Sequence, residues 1–332
     1  MLAQIAECKP ARPATGTPQR LILVNPHSFR MGRGDRLDQV RALTQASDAE
    51  LELVSGPADI ARQLEKHDPG SDDLLVIIGG DGTLQATVSH LAEQSHESDF
   101  PRLLVLGGGR TNFTARDLGS HGRLLPLLRR ALQTPESLQM ETRRPLRLQL
   151  PGQPPLYGFF VAGALVDHVI RDCHRYRASG RGWLRTGHPS SAWRVLQLAM
   201  LGLIGRSEYR PPLMRVDAAG LGTVASPMRI VLLSSLLHSH GRLDPYADRG
   251  QGGLRLTAIT SQAKGFWRSL PALLQGHFKD TMQVSQGYLS GRTDMVQVEG
   301  LPSICLDGQE YTLDTRQVLQ VTAGPSFGFL RP

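Results

Sequence analysis

With 332 residues, 40% of them hydrophobic and 20% charged, the chain has room for two folded domains and is too apolar to be disordered. A formal net charge of +7 suits an anionic partner, but aromatics are only 5% and are not interleaved with basic residues, which argues against nucleic acid. Cys8, Cys173 and Cys305 are far apart and offer no CxxC, metal spacing or disulfide framework, so a reducing cytoplasm fits best.

Met1 to Arg20 is rich in Pro, Ala and Thr, lacks the apolar core of a secretory signal, and reads as a flexible leader. From Leu21 to about Gly119, strand and helix signals alternate. LILVN (21–25) is a short buried strand, followed by a helical face at Leu37, Val40 and Leu43. LELV (51–54) comes next, then Ile60 and Leu64 on a helix. Leu74 to Ile78 is apolar throughout, as expected of a strand buried on both faces, and Leu84, Val88 and Leu91 then recur at helical spacing from near Thr83. LLVL (103–106) is the fourth strand. This alternation predicts a doubly wound parallel sheet, whose ligands sit beyond the carboxyl ends of the strands.

Three of those ends carry unusual loops. The first is Asn25-Pro26-His27-Ser28, which also suits a simple turn. The second is Gly79-Gly80-Asp81-Gly82-Thr83, a glycine-rich turn that opens a helix. Such a turn lets backbone amides face a phosphate, and Asp81 within it calls for a divalent cation, magnesium, between the two negative groups. The third runs from Gly107 to Gly119. Its Gly107, Gly108 and Gly109 contribute no side chain to packing and are read as allowing a ligand close to the backbone, with Arg110 as a phosphate clamp.

After Arg143 the pattern becomes that of short alternating strands: 144–150, 156–162, 213–217, 228–237, 254–259, 295–298 and 303–306. They predict an antiparallel sandwich or barrel-like second domain. A basic, mostly helical stretch at 167–206 interrupts it. His174, Arg175, Arg177, Arg181 and Arg185 precede apolar residues from Trp193 to Leu203, which suits either an anionic membrane surface or a core helix with a solvated neck. The run Val195 to Gly205 is too short to span a bilayer. His238 and His240 share a face of an extended segment but lack a third metal ligand, so satisfied histidines are the better reading.

The three loops, in this order, resemble the catalytic domain of the diacylglycerol kinase family, which includes sphingosine kinases and bacterial lipid kinases. Asn25 to Ser28 stands for the family's Asn-Pro-x-Ser turn, Gly79 to Thr83 reproduces Gly-Gly-Asp-Gly-Thr without change, and Gly107 to Asn112 with Ala115 takes the place of Pro-x-Gly-Thr-x-Asn. The resemblance implies α/β plus all-β architecture: an N-terminal doubly wound domain of the NAD-kinase and phosphofructokinase type and a C-terminal β-sandwich-like domain. The expected division is 1–20 leader, 21–143 nucleotide domain with 322–332 returning to it, and 144–321 lipid-substrate domain. It further implies ATP and magnesium in a cleft, and a lipid hydroxyl attacking the γ-phosphoryl group.

On that reading Asp81 holds magnesium, and the backbone of Gly79, Gly80 and Gly82 holds phosphate. Thr83 caps the helix and touches phosphate, while Asn25, Ser28, Gly108, Gly109, Arg110, Thr111 and Asn112 line the nucleotide site. The family's late Asp-Gly-Glu general base falls at Asp307-Gly308-Gln309, where Gln309 has no useful basicity. Glu310 is adjacent, but neighbouring side chains on a strand face opposite ways. The family's structural-metal aspartate is missing near Gln251-Gly252, so no metal is expected there. The leading expectation is an ATP-dependent lipid kinase, cytoplasmic and peripheral to the inner membrane face, with a homodimer left open. A catalytically weak or inactive nucleotide-binding sensor is the alternative, and an NAD kinase the third reading.

Overall fold

Three largely apolar runs and one alternating run near the start of the chain become parallel strands: β1 (Arg20–Val24), the alternating edge strand β2 (Glu50–Leu53), β3 (Leu74–Gly79) and β4 (Arg102–Gly107). They belong to a computed structural model that describes residues 18–32, 34–109, 112–178, 209–237 and 244–332. The chain divides into two units, one ending at Arg144 and completed by Pro325–Pro332, the other Pro145–Gly324.

In the first unit the sheet order is β2-β1-β3-β4-β17-β5, where β5 is Gln139–Arg143 and β17, Phe327–Arg331, is the last strand of the chain. β17 runs parallel to β4 and antiparallel to β5. Strand β3 sits inside the sheet with all six residues buried, which is why its sequence is apolar without alternation. On one face Ile22, Val76, Ile78 and Leu104 pack with Val40 of α1 (Arg36–Gln45) and Leu128 of α5 (Leu124–Gln133). Helices α2 (Pro57–His67) and α3 (Asp81–Gln94) pack against each other, and α3 lies on β3. Their buried stripes are Ile60 and Leu64 on α2 and Leu84, Val88 and Leu91 on α3. Pro57 starts α2 where a missing N–H costs nothing, and Asp68 ends it in the left-handed region. Helix α4 (Phe113–Asp117) follows the third glycine loop.

The second unit is an antiparallel sheet of eleven strands that curls around its own core. It comprises β6 (Leu146–Gln149), β7 (Leu156–Gly158), β8 (Phe160–Ala164), β9 (Leu213–Ala218), β10 (Gly222–Ser234), β11 (Leu254–Thr260), β12 (Tyr288–Thr293), β13 (Met295–Glu299), β14 (Ser303–Leu306), β15 (Gln309–Thr312) and β16 (Leu319–Ala323). The thirteen residues of β10 make the curl. Its first half pairs with β9, and past a register shift at Met228/Ile230 its second half pairs with β8 and β11. Inward residues Val216, Val231, Leu256, Val296 and Val321 meet in one core, each at least 99% buried. Helix α6 (Leu165–Ala178) and helix α7 (Phe266–Leu273) flank this sheet's strands in sequence.

The strand list from sequence was incomplete for reasons visible here. β12, Tyr-Leu-Ser-Gly-Arg-Thr, looks polar yet buries Ser290 and Thr293. Their hydroxyls are satisfied at Thr257 Oγ1 (2.7 Å) and at the Ala219 carbonyl (2.8 Å). β5 and β15 are edge strands with polar, largely exposed residues, so no apolar pattern marks them. Of the 167–206 stretch only α6 is described; Arg181, Arg185 and the apolar run that follows lie outside the described residues, as do His238 and His240.

Candidate functional site

The three glycine-marked or polar loops of the first unit meet at the carboxyl ends of β1, β3 and β4. Asn25 leaves β1 with its amide donating to the Ile78 carbonyl (2.9 Å). Its side chain works twice: Oδ1 accepts from the His27 amide (3.0 Å), closing an Asx turn, and Nδ2 donates to Thr83 Oγ1 (3.3 Å). The same loop reaches the third one through the Arg30 amide, which donates to the Gly108 carbonyl (2.8 Å). The Gly108 amide in turn donates to the Gly79 carbonyl (2.6 Å).

The glycines are explained by how closely these loops approach one another. A Cβ on Gly79 would lie 2.5 Å from Thr83 Oγ1, one on Gly107 2.6 Å from Asn112 Cγ, and one on Gly108 2.7 Å from Ser28 Oγ. A Cβ on Gly109 would stand 3.0 Å from the Cα of Gly80. Packing therefore does require these glycines, correcting the expectation that only a ligand's approach could. Side chains and backbone of the neighbouring loops occupy the space first.

Two other expectations change. Helix α3 starts at Asp81, so Asp81 and Gly82 belong to its first turn rather than to the loop before it. The N-cap is Gly80, with no side-chain cap, so Thr83 does not cap the helix. Thr83 is 6% exposed and is turned inward, where it receives Asn25. Asp81 is partly exposed at a helix N-terminus, a position where the macrodipole favours a carboxylate with or without a cation. The amides of Asp81 and Gly82 precede any intrahelical acceptor, as the first amides of every helix do.

Two buried oxygens here have no hydrogen-bond partner among the described residues. Ser28 Oγ sits against Gly108, and Asn112 Oδ1 sits 3.1 Å from the position of a Cβ on Gly109. Ser28 is 8% and Asn112 4% exposed, so leaving these atoms unmatched costs about 1–3 kcal/mol each. Asn112 is oriented by its own amide, which donates to the Gly109 carbonyl (2.8 Å), and by a left-handed backbone, φ 50°. Arg110 and Thr111 lie outside the described residues.

The second unit carries Gln309 and Glu310 on the β14–β15 hairpin. Asp307 and Gly308 form its two-residue turn with φ 49° and 87°, as an Asp-Gly hairpin demands. The Asp307 carboxylate accepts from the amides of Phe159 (2.8 Å) and Phe160 (2.9 Å), so it stitches the hairpin to β8. Gln309 and Glu310 face opposite ways, as alternation requires. Gln309 Oε1 accepts from the Tyr311 hydroxyl (3.1 Å), whereas Glu310 is held on α6 by Arg171 (3.2 Å) and His174 (2.7 Å). Arg171 also donates through Nε to both oxygens of Asp167 (3.0 and 2.9 Å) and through Nη2 to the Ile304 and Tyr311 carbonyls (3.2 and 2.8 Å), pinning α6 to the hairpin. The i,i+4 spacing of Asp167 and Arg171 was a readable signal for this pin. Burial pushes the Cys305 thiol up to about 12, so it is no nucleophile at neutral pH.

The profile of the diacylglycerol kinase catalytic domain matches residues 19–140. The matched segment spans the parallel strands β1 to β4 and the three loops just described. A solved diacylglycerol kinase from Bacillus anthracis strain Sterne is similar over 94% of this chain and 96% of its own, with 14% identity and a TM-score of 0.58. Two further structures from that organism, both described as putative diacylglycerol kinases, are similar as well. One covers 96% of this chain and 98% of its own (16% identity, TM-score 0.62), the other 95% and 97% (15%, 0.63). At such identities the likeness establishes the fold of both units: a parallel α/β sheet and an antiparallel curled sheet. No curated protein matches the sequence.

Proposed function

We propose that the chain is an ATP-dependent kinase that phosphorylates a lipid hydroxyl while peripheral to an anionic membrane. The observation that carries this reading is the meeting of three loops at one end of the first sheet. There, two buried oxygens, Ser28 Oγ and Asn112 Oδ1, lack partners among the described residues, near the helix-opening amides of Asp81 and Gly82. These groups fit a magnesium nucleotide. Mg²⁺ characteristically takes one or two carboxylates and completes its shell with phosphate oxygens and water. Asp81 supplies the carboxylate, and the described residues contain no cluster of three acidic, His or Cys side chains for a metal held by protein alone.

ATP would supply the γ-phosphoryl group to be transferred. The chain's own part would be positional: the α3 amides and the glycine turns would face the phosphates, Asp81 would hold the cation, and the buried oxygens of Ser28 and Asn112 would take a nucleotide group or an ordered water as the partner they lack among the described residues. The acceptor oxygen bonds to phosphorus as the bond to the leaving ADP oxygen breaks, and the hydroxyl proton goes to solvent or phosphate. Loose phosphoryl transfer depends chiefly on positioning and charge, which permits this without a base.

A second reading, a catalytically weak nucleotide-binding protein, draws on one observation: Gln309 is an amide, and both oxygens of Glu310 are occupied by Arg171 and His174. Incubation with labelled ATP and a total lipid extract, with mass spectrometry of the products, separates the readings. Labelled lipid that disappears with Asp81→Ala supports the kinase. Nucleotide binding by calorimetry with no phosphorylated lipid in any extract supports the second reading.

A further inference from the structure

We propose that an open, basic cleft of the second unit, at the start of α7, receives the phosphate of an anionic phospholipid and docks the protein on a bilayer. The cleft has a volume of about 790 Å³ and lies between the Lys264–Ser269 segment and the 279–288 loop. Lys264, Arg268 and Lys279 line it against a single carboxylate, Asp280. Among the described residues none of those three cationic side chains makes an ion pair. Three cations without an ion pair among the described residues, facing one carboxylate across a concavity, repel each other, and an anion relieves that repulsion.

The walls are fixed rather than floppy. The Tyr288 hydroxyl donates to the Lys264 carbonyl (2.7 Å), and Arg249 donates to the carbonyls of Met282 (2.7 Å) and Lys279 (2.9 Å). On its inner side α7 buries Phe266 and Leu273, with the Arg229 guanidinium 4.6 Å above the Phe266 ring. The other shoulder of the same helix exposes Pro271 and, just beyond it, Leu274 at 39%. Cations beside outward apolar groups suit a bilayer interface, where the charges meet head groups and the apolar groups enter the boundary region. A soluble anion would use only the cations. This surface lies outside the basic stretch at 167–206 that the sequence singled out, and it gives the peripheral-membrane part of the proposed function a specific location.

The test is sedimentation of the full chain, without nucleotide, with phosphatidylcholine vesicles containing or lacking phosphatidylglycerol. The chain should bind only the anionic vesicles. Combined Lys264→Gln, Arg268→Gln and Lys279→Gln should weaken that binding about a hundredfold, roughly fivefold per cation. Arg316→Gln, which removes an 87% exposed cation elsewhere on the same unit, should leave binding unchanged. Leu274→Ser should weaken it a further few-fold. Equal losses for Arg316→Gln and Arg268→Gln would reveal a general charge effect and overturn the proposal, as would undiminished binding by the triple variant. Millimolar inorganic phosphate that displaces the protein at constant ionic strength would likewise overturn it, identifying a free-anion site. Nucleotide binding measured on the same variants stays independent of all these outcomes, so the kinase reading stands or falls separately.

Discussion

Two stretches of this chain carry an aspartate next to a glycine in a tight connection, and they are used oppositely. In the first unit, Asp81 and Gly82 open α3, and buried oxygens of Ser28 and Asn112 stand nearby without partners among the described residues. In the second, Asp307 and Gly308 turn a hairpin, and the Asp307 carboxylate is consumed by the amides of Phe159 and Phe160. The dipeptide alone does not make a site. What distinguishes the two is whether the polar atoms around it have already found partners within the protein.

The largest effect should come from Asp81→Ala. Removing a charge that stabilises transferred phosphate should lower phosphotransfer about 10²- to 10³-fold. Gln309→Glu tests the other region from the opposite direction. Restoring a carboxylate there should raise the lipid-phosphorylation rate, approaching the lower end of general-base assistance, about 10²-fold. No gain would show that Gln309 lies away from the chemistry.

Asp307→Ala should be a stability variant only. It leaves two strand-linking amides unmatched, and chemical denaturation should report a loss of about 2–3 kcal/mol with nucleotide affinity unchanged. Gly108→Ala places a methyl 2.7 Å from Ser28 Oγ and 3.2 Å from Gly79, and overpacking of this kind costs about 1–3 kcal/mol. It should also weaken nucleotide binding, since Ser28 must move. The smallest effect is expected of Gly308→Ala. No atom lies within 4 Å of its added Cβ, so only the φ of 87° opposes it, at about 1–2 kcal/mol, with activity per folded molecule intact. If Gly108→Ala and Gly308→Ala behaved alike, the contrast between cradle and scaffold would be lost.

Much of the first unit was legible because parallel strands write themselves plainly. Leu74 to Ile78 is apolar at every position because both faces are covered, and the glycine-aspartate turn follows it directly. What could not be read was the reason for the glycines. Single-sequence reasoning sees an absent side chain but not the neighbour that needs the space, here Thr83, Asn112 and Ser28. The orphaned oxygens were equally invisible, since partnership is decided by loops far apart in the chain. In the second unit, β12 hid behind Ser290 and Thr293, whose hydroxyls are buried because they are hydrogen-bonded. The role of Asp307 was readable as an Asp-Gly hairpin signal. Its acceptance of two amides from residues about 150 positions earlier was not.

Isothermal titration of the purified chain with ATP, with and without Mg²⁺, tests the central claim most directly. The account predicts cation-dependent binding that Gly108→Ala weakens and Gly308→Ala leaves intact. No heat with any adenine nucleotide in the presence of Mg²⁺, or equal affinity in all three proteins, would contradict it.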